Sequence, residues 1–80
     1  MTSDERDETI RRVLSAALGL PENRITDETS PETVESWDSV THLNLVLALE
    51  EAFRTGFTPE ETLEMTRVTS IRQLLEMKGL

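Results

Sequence analysis

Asp38-Ser39, with His42 close behind, is where this chain gathers residue types able to do chemistry. Two readings of Ser39 compete. An Asp or Ser directly before an amphipathic run makes a sound helix N-cap, because its side-chain oxygen accepts a backbone N–H that the first turn leaves unpaired. The other reading gives the Ser39 hydroxyl a chemical role of its own. As a hydrolase nucleophile it is poorly supported. No Gly-x-Ser-x-Gly elbow surrounds it, and the single histidine, His42, follows on the same helix and so faces either the core or the neighbouring loop. A metal role fares no better. The stretch from Asp27 to Asp38 has acids at both ends, as a calcium loop does, but Glu32 stands where the sharp turn requires Gly and the last acid is Asp where Glu is needed. Neither a catalytic pair nor a metal site is expected.

The totals narrow the field further. A chain of 80 residues favours one domain, spanning 1–80, and a domain this small buries only about 60–65% of its unfolded surface. Trp37, Phe53 and Phe57 are the only aromatics, which leaves little material for a deep, dry active site. There is no cysteine, hence no disulfide, thiolate metal site or thiol nucleophile within the chain. The first ten residues are charged and lack the apolar run of a signal peptide, and the stretch from Leu43 to Leu49 is too short to span a membrane. A cytoplasmic monomer is expected. Sixteen acids against 8 bases give a formal net charge of −8. That field repels phosphate backbones and anionic lipid, so nucleic acid is an unfavourable partner and proteins with basic patches are favourable ones. It also serves plain solubility.

Four helices must position Ser39, and no strand-like alternation competes with them. From about Asp4 to Leu18, apolar residues recur at Ile10, Val13, Leu14, Ala17 and Leu18, which is one helical face. Gly19 and Pro21 end it. A long connection follows, with Ile25, Val34 and Trp37 as apolar pins and Ser30-Pro31-Glu32 as the start of a single turn. A loop of this length is uncommon unless it folds over the body of the domain. The second helix spans about Ser39 to Phe53. The third is short, starting at Thr58-Pro59-Glu60-Glu61 with a capping box and ending near Met65. The fourth starts after Val68, with Thr69 or Ser70 as cap and Ile71, Leu74, Leu75 and Met77 facing inward, and Gly79 at its end. The fold class is all-α: a small four-helix bundle with a long loop between the first two helices.

On a wheel advancing about 100° per residue, Leu45, Leu49, Phe53, Val46 and Leu43 share an arc of roughly 160°, which reads as the core stripe of the second helix. Val40 and Leu47 fall on a flanking face with Asn44 and Glu51. Either the long loop covers them, or they form a small apolar docking patch rimmed by Glu50 and Glu51. The expected core is Leu14, Leu18, Leu43, Val46, Leu49, Phe53, Val68, Ile71 and Leu75.

From Ile10 to Leu75 the chain resembles the acyl carrier protein family. The resemblance rests on Leu18-Gly19-Leu20 at the end of the first helix, Ile25 in the loop and Asp38-Ser39-Val40 where the family has Asp-Ser-Leu. It continues with Ala48-Leu49-Glu50-Glu51-Ala52-Phe53 and with Val68 before the last helix. It implies that a phosphopantetheinyl transferase attaches 4′-phosphopantetheine, taken from coenzyme A, to Ser39. Asp38 would assist, and the arm's thiol would hold an acyl group as a thioester for partner enzymes, with no catalysis by the carrier itself. It also implies that Val40, Asn44, Leu47, Glu50 and Glu51 lie at partner-docking positions. Those partners would be an acyl- or aminoacyl-loading ligase and downstream biosynthetic enzymes with basic docking patches. Thr41 and Asn44 replace acids usual in fatty-acid carriers, and Ser36-Trp37 replaces the Gly-Gly pair usual in peptide-synthetase carriers. Trp-Asp-Ser-x-x-His-Leu instead resembles free-standing carriers of specialised lipid, polyketide or related pathways. An aminoacyl or peptidyl carrier is the alternative within the family. An unmodified helical interaction module is the more distant one.

Overall fold

The computed structural model of this chain describes residues 2–80; Met1, the first residue of the expected domain, lies outside the described residues. Four α-helices run in the order α1 (Ser3–Leu18), α2 (Ser39–Phe53), α3 (Pro59–Glu64) and α4 (Val68–Met77), and no strand occurs among the described residues. This is the all-α arrangement that the apolar periodicity predicts, with three longer helices and a short third one.

Local sequence sets most of the ends. Thr2 caps α1 by accepting from Glu5 N at 3.2 Å. Gly19 closes it at φ +71, a left-handed conformation that glycine adopts without penalty. At the end of α2 the same role falls to Arg54, at φ +52, where a side chain makes the conformation less favourable. Thr58 and Glu61 form the reciprocal capping box of α3, with Pro59 as its first residue.

The core joins Ile10, Leu14 and Leu18 of α1 to Leu45, Val46, Leu49 and Phe53 of α2, and to Val68, Ile71, Leu74 and Leu75 of α4. Met65, directly after α3, is fully buried among them, whereas no residue of α3 itself is buried. The long loop lies over this core, as its apolar pins require: Ile25 and Trp37 are buried and Val34 packs partly against the cluster. Polar ties hold it there. Ser36 Oγ donates to Leu18 O at 2.8 Å, Val68 N donates to Thr29 O at 3.3 Å, and Arg72 of α4 bridges Asp7 of α1 and Asp27 of the loop. The turn expected at Ser30 forms, closed by Val34 N on Ser30 O at 2.9 Å.

Three expectations need correction, and one element is new. Leu43 is not core; it is 58% exposed, because the buried arc of α2 runs only from Leu45 through Leu49 to Val46, about 100° wide rather than 160°. Met77 is exposed as well, because it falls about 60° outside the arc that Leu74, Ile71, Leu75 and Val68 bury. Neither Thr69 nor Ser70 caps α4: Arg67 occupies the cap position with no side-chain bond, and Thr69 Oγ1 donates to Asp27 O at 2.9 Å instead. A short 3₁₀ turn at Glu22–Arg24, unforeseen in the sequence, follows Pro21 and leads into Ile25.

The lower end holds a charged group that periodicity does not reveal. Arg6 is buried on α1, pairing with Glu76 Oε1 at 2.9 Å and donating to Leu80 O at 3.3 Å. It fastens the last residues of the chain to the first helix.

Candidate functional site around Ser39

Ser39 is the first residue of α2, and its neighbour does the capping. Asp38 adopts extended backbone (φ −99, ψ −174), and its Oδ1 accepts from Thr41 N at 2.9 Å, while His42 N donates to Asp38 O at 2.8 Å. The Thr41 N–H holds the Asp38 carboxyl below its ordinary pKa of 3.8, so it is anionic at neutral pH. Ser39 itself is exposed, and among the described residues no protein group bonds its hydroxyl. The cap is therefore Asp38, and the Ser39 oxygen is left free of that role.

What surrounds that oxygen suits a phosphate ester. The N–H groups of Ser39 and Val40 precede the first intrahelical bond and have no acceptor within α2. The helix dipole places partial positive charge at the same end of this 15-residue helix. A phosphodiester on Ser39 therefore fits the residues present, and the exposed side chain leaves its other end free to extend into solvent.

Ser39 stands on the rim of a cleft of about 570 Å3 between the start of α2 and α3, whose apolar walls include Pro31, Trp37, Leu43 and Leu63. A larger recess, about 860 Å3, opens under the long loop beside Leu18, Arg24 and Glu35. Its lining contains neither Asp38 nor Ser39, so the smaller cleft is the one that bears on the serine.

The floor of that cleft is a hydrogen-bonded chain. Trp37 Nε1 donates to His42 Nδ1 at 3.0 Å, and His42 Nε2 lies 2.8 Å from Thr62 O. Because Nδ1 accepts, the neutral ring carries its proton on Nε2 and donates it to Thr62. The two rings stack with centroids 6.2 Å apart and planes 24° apart. This linkage was missed from the sequence, yet a signal for it exists. His42 falls at the middle of the buried arc of α2, between Leu45 and Val46 on the wheel, where a histidine needs partners for both nitrogens.

The other expected site residues separate into two groups. Val40 and Leu47 are 68% and 62% exposed and not covered by the loop; with Leu43 they make an apolar strip along α2. Asn44 and Glu51 are exposed beside it. Glu50 differs: it is half-buried, and its Oε2 accepts from Phe57 N at 2.8 Å, tying α2 to the segment before α3. Any docking role for Glu50 is therefore combined with a structural one.

No helix among the described residues is long and apolar enough to cross a membrane. No protein-family model matches the chain. Among curated proteins, it is 31% identical over 70 residues to the acyl carrier protein of Buchnera aphidicola subsp. Baizongia pistaciae (strain Bp), an alignment spanning 88% of this chain and 90% of that one.

Proposed function

Because this chain belongs to the acyl carrier protein family, we propose that residues 1–80 act as one non-catalytic carrier domain with a 4′-phosphopantetheine arm on Ser39. The observation that carries the proposal is the division of labour at the start of α2, where Asp38 caps and the Ser39 hydroxyl is exposed and unengaged. When bound, the arm supplies the terminal thiol that this cysteine-free chain lacks, on which an acyl group is held as a thioester.

The chain's own residues have defined tasks. Ser39 supplies the oxygen that forms the new bond to phosphorus; its proton passes to a base on the transferase, and the adenosine bisphosphate half of coenzyme A leaves. Asp38 keeps the helix end in place and presents a carboxylate to the transferase's metal or basic residues. The first-turn N–H groups and the helix dipole favour the resulting negative charge. Val40, Leu43 and Leu47 offer an apolar centre for docking, with Asn44, Glu50 and Glu51 around it. The net charge of −8 steers basic partner surfaces toward it.

The partners are a phosphopantetheinyl transferase, an acyl- or aminoacyl-loading ligase and downstream enzymes with basic patches, in a specialised lipid, polyketide or related pathway in the cytoplasm. The carrier works as a monomer. Thr41 and Asn44, uncharged where fatty-acid carriers usually have acids, support the specialised assignment over a general fatty-acid one. Incubation with coenzyme A and a broad-specificity transferase tests the proposal by intact mass. A gain of one phosphopantetheine on Ser39 is expected. An unchanged mass, or modification of Ser30, Ser36 or Ser70, overturns the carrier reading and leaves a helical interaction module.

A further inference from the structure

We infer that His42 is a bolt across the seam between α2 and α3, so that the cleft beside Ser39 holds short or polar cargo at the surface and denies a long alkyl chain entry to the core. The cargo half of this inference rests on Ser39 bearing the arm.

The argument starts from the two nitrogens of His42. One accepts from the Trp37 indole at 3.0 Å and the other donates to the Thr62 carbonyl at 2.8 Å, so the ring links the long loop, α2 and α3 in one chain. Trp37 is only 3% exposed, and its N–H has this single partner. The bond to Thr62 matters because α3 has few other ties: none of its own residues is buried, its ion pair from Glu61 to Lys78 at 3.2 Å leads to α4, and its flanks reach the core through Phe57 and Met65. His42 shares the inner face of α2 with Leu45 and Leu49, both fully buried.

An alkyl chain entering from Ser39 toward that core has to displace the imidazole. It would leave the buried Trp37 N–H and the half-buried Thr62 carbonyl without partners beneath the chain, and a hydrocarbon offers neither a donor nor an acceptor to replace them. A cargo with an amide, hydroxyl or amino group meets no such penalty, since it can rest in the open cleft against Leu43 and Leu63 and exchange hydrogen bonds at its floor. His42 thus acts on cargo choice as a positioning residue, by keeping α3 against α2.

The test uses the full chain, loaded by the transferase from butanoyl-, octanoyl- and dodecanoyl-coenzyme A, with thioester cleavage by hydroxylamine followed by intact mass. For the wild type, cleavage rates are expected to agree within about twofold across the three chains, because none is enclosed. In His42→Ala, or in His42→Leu if the smaller residue unfolds the domain, dodecanoyl cleavage is expected to fall about tenfold or more below butanoyl. A wild type that already protects dodecanoyl by that much overturns the inference, as does a folded variant without chain-length dependence. Hydrogen exchange on the unmodified protein is the independent arm: His42→Leu should speed exchange of the amides of Thr62 to Met65 about tenfold while α1 is unaffected. Unchanged exchange there overturns the bolt. If Ser39 takes no arm at all, the mass experiment shows it, and exchange still decides the role of His42.

Discussion

Asp38 Oδ1 accepts a hydrogen bond from Thr41 N at 2.9 Å, and the serine between them takes no part in it. This relationship separates the stability of α2 from the chemistry at its first residue. Ser39→Ala should abolish modification and change stability by no more than about 0.5 kcal/mol, as for other exposed positions. Asp38→Ala should lower the melting temperature, because alanine cannot cap. Paired thermal melts and mass measurements check both. A large loss of stability in Ser39→Ala would show that the serine, not its neighbour, holds the helix end.

The same carboxylate predicts a pH dependence. Asp38 is held below its ordinary pKa by the Thr41 N–H, and Asp27 and Glu61 are lowered too, by Arg72 and by the Thr58 N–H. For each, the folded value lies below the unfolded one, near 3.8 for Asp and 4.5 for Glu. Each contribution is therefore complete above those values and is lost as pH falls through the folded pKa. The gap in melting temperature between wild type and Asp38→Ala should be constant from pH 7 to about 5 and should narrow below about 4. Taking the difference removes most of the effect of changing net charge. A gap that persists at pH 2 would mean that the cap does not depend on ionisation.

Glu50 and Glu51 are adjacent acids with different expected behaviour. Glu50→Lys removes the acceptor of Phe57 N and should cost about 1–2 kcal/mol. Glu51→Lys should leave the fold intact and slow transferase or ligase association, with the difference shrinking at 1 M salt, where the Debye length is about 3 Å. Association rates at low and high salt decide it; salt-independent rates with no effect of Glu51→Lys would reduce the acidic face to a solvated surface.

Phe53 and the pair Leu43 and Leu47 test the boundary between core and docking strip. Phe53→Ala should cost roughly 3–5 kcal/mol, a large share of the low end of the 5–15 kcal/mol available to a domain. Leu43→Ala and Leu47→Ala should each cost within about 0.5 kcal/mol, since both side chains already face water. Both should weaken partner binding. Melts combined with modification rates distinguish the outcomes, and a Leu47→Ala that unfolds as readily as Phe53→Ala would contradict the exposed strip.

Arg54 offers a stabilising change. It holds a left-handed conformation at φ +52 that glycine adopts freely. Arg54→Gly should raise stability by about 0.5–1 kcal/mol, measured by denaturant melts.

By itself the sequence determined the features that depend on neighbours along the chain. Helical periodicity placed the three longer helices, the Thr58–Glu61 capping box placed the short third one, Gly19 marked an end, and Asp38-Ser39 stood out at the start of α2. Such features need only a few consecutive residues and the geometry of one helix. Tertiary structure decided what depends on contacts between distant segments. The wheel put Leu43 inside the apolar arc, and only the placement of α1, α3 and α4 showed that the arc closes at Val46 and leaves Leu43 outside. Arg67 holds the cap position of α4 without a side-chain bond, and Thr69 bonds instead to Asp27, far away in sequence. His42 had two possible surroundings in the sequence. Its bonds to Trp37 and Thr62 exist only because the long loop and α3 converge on α2 from opposite directions along the chain, and a ring that needs two partners cannot be read until both have been placed.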